Sequence, residues 1–276
     1  MAVWYALMTF LFLLAPQVRK PPEPSEAATE SPYVERSQRQ FNFYPGGKIE
    51  IAGGAPGSFK IVGWQRSAVL AEFEKVVYHL EPQQAKVLSD QFPIQVRWGQ
   101  TSATIRTLAP PKALASMEVN GTLYVPKEKT DFVIRLISGD LTIGALNGWI
   151  EVNLTEGSLE AKSLSGYFSS LAVKGDVKVE LSGKRWLGRG FTAATQNGTV
   201  DLRLPADFSA ALQFETRDGN ISISFPEQLV EGESVPLKAV AKKKARTLKA
   251  TVGDGGAPIR LFTNRGDIRL SAIEAP

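Results

Sequence analysis

The chain has no cysteine and a single histidine, His79. The first absence excludes disulfide frameworks, zinc–thiolate sites, cysteine nucleophiles and a lipoprotein anchor. The second excludes histidine-rich metal sites and leaves one imidazole as a possible general base. Neither G-x-S-x-G nor S-x-x-K occurs, so a hydrolase nucleophile has no local support. Charge is nearly balanced, 32 basic against 28 acidic residues for a net +4, too little to imply a nucleic-acid partner without a clustered patch. What is present is 43% hydrophobic residues in short runs and 24 glycines. That composition supports a folded core cut into brief elements.

The single long apolar run is "MAVWYALMTFLFLLA" at residues 1–15. It is shorter than the roughly 20 residues of a spanning helix and matches the core of a signal peptide, or an N-terminal hydrophobic anchor. The expectation is export, to the periplasm, the outer surface or the medium. The alternative is inner-membrane anchoring by residues 4–15, and membrane contact is expected only through this segment. Residues 16–40 are rich in Pro, Ser, Glu and Ala and read as a disordered linker. From Phe41 to the end, polar and apolar residues alternate between glycines, which marks a repetitive all-β domain over 41–276. Within it, "AVLAEFEKVVYHLEPQQAKVLSD" (68–90) reads as strand in its first half, with room for a short helix in its second.

Gly139, Gly148, Gly157, Gly166 and Gly175 are spaced nine residues apart. The second and fourth residues after each glycine are apolar, with Ser170 the one exception, and the residues between them are polar or tolerate a surface. This period-2 pattern, restarted at each glycine, describes one short strand per unit. It returns at Gly198, Gly219 and Gly266. A unit of nine residues cannot bury its own apolar face, so units must stack. Two units make about one coil of a β-solenoid of short glycine-punctuated strands, and the step from Gly198 to Gly219 is taken as the next coil. The alternative architecture is a β-sandwich. Glycine is expected at the turns because positive φ costs it little.

The units read T-x-N/D/R-G-D/N/T-I/V-x-L/I, preceded by "YPGGKIEIAGGAPGSFKIVGW" (44–64) and "LYVPKEKTDFVIRLISGDLTI" (123–143). On these segments residues 41–276 resemble the DUF4097 family of bacterial envelope adhesins. The resemblance implies a solenoid-like all-β domain at the cell surface or in the periplasm. It carries no catalytic residues to transfer.

The residues that could carry chemistry read as structural. His79, in "VVYHLEP", reads as a polar strand residue. Asp140, Ser158 and Asp176 line up if a coil is eighteen residues, but two carboxylates about 10 Å apart do not form a calcium cage. "GDGGAP" (253–258) reads as a turn, and "AVAKKKARTLK" (239–249) as a solvated loop or a lysine-guarded edge strand. The four Asn-x-Ser/Thr strings at Asn120, Asn153, Asn197 and Asn220 follow from turn chemistry. No catalytic residue, metal ligand or cofactor is expected. The candidate contact surface is aromatic: Trp149, Tyr167 and Trp186 fall at spacings that would stack them on one face, suited to a sugar ring or a protein partner. The reading is a non-enzymatic envelope protein with an adhesive or structural role, touching glycan or another envelope protein. The alternatives are a periplasmic scaffold or regulatory module and, more remotely, a carbohydrate-active β-helix enzyme. Arg265-Gly266-Asp267 spells an integrin-binding tripeptide, but the repeat already accounts for the glycine and accommodates the aspartate.

Overall fold

Short runs of β-branched and aromatic residues, many of them closed by a glycine or proline, build strands here. The computed structural model describes residues 31–108, 116–224 and 246–273, with the backbone of 230 and 231. In chain order the strands are β1 (Tyr33–Asn42), β2 (Lys48–Gly53), β3 (Phe59–Trp64) and β4 (Ala68–Val77). The helix α1 (Pro82–Gln91) follows, then β5 (Gln95–Trp98), β6 (Ser102–Thr107), β7 (Met117–Pro126) and β8 (Asp131–Ser138). Next come β9 (Leu141–Glu156), β10 (Leu159–Lys174), β11 (Val177–Glu180), β12 (Gly188–Asn197) and β13 (Val200–Pro205). The remainder is β14 (Ala210–Asp218), β15 (Ile221–Ser224), β16 (Val230–Glu231), β17 (Arg246–Val252), β18 (Pro258–Arg265) and β19 (Ile268–Ile273).

The strands form two facing layers joined through β9 and β10, which bend midway and contribute to both. The first layer runs β5–β6–β2–β8, then the second halves of β9 and β10, then β12–β18–β14–β17–β16. The second runs β1–β4–β7–β3, then the first halves of β9 and β10, then β11–β13–β19–β15. The middle of each layer is parallel, as a solenoid demands; antiparallel strands flank both ends of the first layer and the β1 end of the second, whose other end, β15 on β19, stays parallel. In its regular part the coil is eighteen residues, with Gly139, Gly157 and Gly175 at one corner.

Between the layers lies one continuous core. Phe132, Ile150, Phe168, Phe191, Ile259 and Leu212 occupy one inward row across successive strands of the first layer, all buried. Leu159, Val177, Val200 and Ile268 do the same in the second. At about 1.5–3 kcal/mol per buried side chain, such rows are what stacking supplies to units that cannot fold alone. Ser170 takes its inward position between Val152 and Ala193, and its hydroxyl is buried without a partner.

The glycines serve close approach as much as turning. A Cβ on Gly157 would fall inside van der Waals distance of the Gly139 carbonyl oxygen, and one on Gly175 would meet that of Gly157 in the same way. Gly157 also has φ +131°, a region other residues enter at a cost. The expectation that glycine alone supplies positive φ at the turns needs correcting at the opposite corner. There Ala145 and Ser163 also carry it, at +56° and +51°, beside Gly166 at +100°, while Gly148 is kept small by the Thr130 carbonyl beneath it.

Three further boundaries differ from the sequence reading. Strand β1 opens at Tyr33 and pairs along its whole length with β4, so the domain begins ahead of Phe41 and the last part of the expected linker is strand. His79 is not in a strand: β4 ends at Val77, and His79 is exposed at φ +58° before α1. The last unit of the sequence is not the last in space. Strand β19, which follows Gly266, lies between β13 and β15, and β18 lies between β12 and β14. The units after Gly198 and Gly219 are therefore separated by a full rung rather than adjacent.

Candidate functional site

Residues in register on parallel strands stack their side chains at the strand spacing of about 4.8 Å. One outward row of the first layer passes through Trp149, Tyr167 and Gly190. The Trp149 and Tyr167 rings lie 3.9 Å apart between centroids with planes 23° from parallel. Trp149 is held twice: its backbone N–H donates to Asp131 Oδ1 at 2.8 Å and its indole N–H to Glu151 Oε1 at 2.6 Å. It remains 40% exposed, and Tyr167 is half-buried. A Cβ on the buried Gly190 would meet nothing within 4 Å outside its chain neighbours, so the place beside Tyr167 where a next side chain would stand is unfilled.

Trp186 does not extend this row. The step from Gly175 to Gly198 is longer than the regular coil, and the extra residues form the link between β11 and β12. Trp186 sits in that link, 5% exposed, its ring edge-on to Phe191 at 5.1 Å. Spacing along the chain fails there because an insertion changes the register, and the apolar ring is drawn into the core.

Over β6, β2 and β8 the first layer's outer face is charged, with Lys48 and Glu50 paired at 2.7 Å near Arg106 and Arg135. Beside the aromatic pair, the first layer presents Ser169, Leu171, Thr192 and Ala194, with Leu171 39% exposed. The second layer also presents charge: Glu160, Lys162, Lys178, Glu180, Asp201 and Arg203 line one shallow cavity. Lys162 donates to Glu160 and holds that carboxyl below its ordinary range, while Lys162 is itself raised by the same contact. A larger groove of about 740 Å³ crosses β1, β4, β7 and β3, with Arg36 and Glu74 on its wall already paired at 2.7 Å.

Asp140 and Asp176 are brought onto one corner, with Ser158 between, and their carboxylates are used by the backbone. The Ser158 N–H donates to Asp140 Oδ1 at 2.7 Å and the Thr199 N–H to Asp176 Oδ1 at 2.8 Å. Among the described residues no group of three His, Asp or Glu side chains converges as a metal site would require. Asp267 joins the same corner row by accepting from the Asn220 N–H, and Arg265 reaches Asn197 Oδ1 at 3.4 Å. The Arg-Gly-Asp stretch is thus flanked by a rung on each side. Of the basic cluster, Arg246 and Lys249 lie on β17, and Lys242, Lys243 and Lys244 lie outside the described residues, as do the expected signal or anchor at 1–15 and residues 16–30 of the linker. Among the described residues no helix is long and apolar enough to cross a membrane.

The sequence reading missed a second aromatic surface. Trp98, at the end of edge strand β5, stacks on Phe41 of β1 with centroids 5.1 Å apart and planes 15° from parallel. Its signal in the sequence is slight: a tryptophan next to a glycine, with a partner 57 positions away.

A family model described as Toastrack DUF4097 matches residues 129–271, just over half of the chain. No curated protein matches. Among solved structures, the chain is similar to a candidate cell adhesion protein from Clostridium sporogenes, at 11% identity and a TM-score of 0.43, covering 87% of this chain and 100% of that one. It is also similar to a candidate adhesin from Bacteroides fragilis, at 13% identity and a TM-score of 0.39, covering 86% and 97%. A candidate adhesin from Parabacteroides distasonis aligns at 10% identity and a TM-score of 0.27, over 86% and 97%.

Proposed function

The chain belongs to the Toastrack DUF4097 family, and on that premise we propose that it is an exported, non-enzymatic β-repeat protein of the bacterial envelope. In this reading it makes adhesive or structural contacts with a glycan or a protein through the first layer's outer face. The observation that supports this is the Trp149–Tyr167 stack, partly exposed and anchored by Asp131 and Glu151. A rigid ring pair offers apolar contact area at little entropic cost. The exposed Leu171 and the short side chains next to it favour a second reading, a flat protein-docking face on a scaffold module.

The test is pull-down on immobilised glycans and on envelope proteins with the wild type and the Trp149→Ala/Tyr167→Ala double variant. Loss of glycan retention supports the first reading. Retention of a protein partner after the same changes moves the contact elsewhere and favours the second. Turnover of any polysaccharide would replace both with an enzyme.

A further inference from the structure

We infer that the groove between β1 and β5 is a separate binding site for the ring of a neutral sugar, with Trp98 as its platform. The site does not depend on Trp149 or Tyr167. It is a depression of about 440 Å³ lined by Gln40, Phe41, Asn42, Tyr44, Trp98 and Gln100, among others. That volume is within the roughly 300–1,000 Å³ typical of small-ligand sites.

The tryptophan is fixed by its packing. Phe41 is buried in the core and lies flat against one face of the indole, which settles the ring's orientation. The residue is nonetheless 51% exposed, and Tyr44 beside it is 48% exposed. Large aromatic surface left in water is costly, and here two such rings border one depression instead of being scattered. The two chain segments are also tied together, because the Tyr44 N–H donates to the Gln100 carbonyl at 2.9 Å. The geometry therefore stands ready before any ligand arrives.

The polar lining specifies the ligand class. Gln40, Asn42 and Gln100 are exposed carboxamides, each able to donate and accept, which is the pairing a sugar's vicinal hydroxyls require. No lining residue carries a charge at neutral pH. Phosphate or nucleic acid would find no cation, and a uronic acid would find no counter-charge. A pyranose has one face of C–H groups to lay on the free side of the indole and a rim of hydroxyls for the amides. The charged groove on β1, β4, β7 and β3 offers no such platform, its arginine being paired already.

The test is isothermal titration calorimetry of the full chain with cellohexaose, maltohexaose, chitohexaose, a hexagalacturonate and a proline decapeptide. Saturable binding of at least one neutral hexasaccharide is expected, with Kd of about 1 mM or tighter. Trp98→Ala should weaken it at least about ten-fold, and Trp98→Phe, which keeps a flat ring, by less. Trp149→Ala/Tyr167→Ala should leave it unchanged, which separates this site from the surface proposed above. Thermal unfolding of each variant checks that the exposed substitution leaves the domain folded. Absence of binding to all three neutral sugars would overturn the inference. So would binding indifferent to Trp98→Ala, or binding of the hexagalacturonate or the proline peptide alone.

Discussion

The backbone N–H of Asn220 donates to Oδ1 of Asp267 at 2.9 Å, between positions 47 apart in the chain. The bond shows where the Arg-Gly-Asp stretch sits, on a rung inserted between two earlier ones, with its aspartate holding the outer neighbour. Asp267→Ala should therefore lower stability by about 1 kcal/mol, the usual worth of one such hydrogen bond, measurable by urea unfolding. Arg265→Ala should change neither the fold nor adhesion to integrin-bearing cells; loss of adhesion in that variant would restore the tripeptide as a ligand.

Gly157 and Gly183 both have positive φ, at +131° and +81°, but only Gly157 is crowded by the rung beneath. Gly183→Ala should cost about 1–2 kcal/mol, the price of a left-handed alanine. Gly157→Ala must in addition displace the Gly139 carbonyl and should cost at least about 3 kcal/mol, or prevent folding. Equal effects in paired denaturation curves would mean that turning, and not close stacking, selects these glycines.

Ser170 faces inward with its hydroxyl unpartnered. Ser170→Ala removes the uncompensated group while shortening the side chain by one atom. A stabilisation of about 1 kcal/mol is expected, read as a higher denaturant midpoint at unchanged slope.

Lys75 is buried on β4, donating to the Ser89 carbonyl of α1 at 2.8 Å and to Glu35 Oε2 at 3.3 Å. The Ser89 hydroxyl also donates to that carboxylate, and these contacts hold Glu35 below its ordinary 4.5, the Ser89 bond first, against the opposing effect of burial. A carboxyl depressed in the folded state adds stability above its unfolded value, and that stability is lost as the pH falls through the folded one. Glu35→Gln should thus destabilise at pH 7, and its difference from wild type should shrink as the pH drops below about 4.5. Chemical denaturation across pH 3–7 measures it. A difference independent of pH would mean that shape and hydrogen bonding, not charge, hold α1 on β4.

The repeat, the all-β class, the eighteen-residue coil and the inward rows were all legible in the sequence, because they rest on local geometry. A strand sends alternate side chains to opposite faces whatever its neighbours are, so Leu141, Ile143, Ile150 and Val152 declare their direction by position alone. Strand order is not local. The units at Gly198, Gly219 and Gly266 carry nearly the same pattern and would pair almost equally well, and the path of the whole chain decided that β19 lies between β13 and β15. The same limit applies to the surfaces. Regular spacing located Trp149 and Tyr167 on one row, but an insertion turned Trp186 into the core. The Phe41–Trp98 stack joins two strands with no shared period, so only the packed structure brings it together.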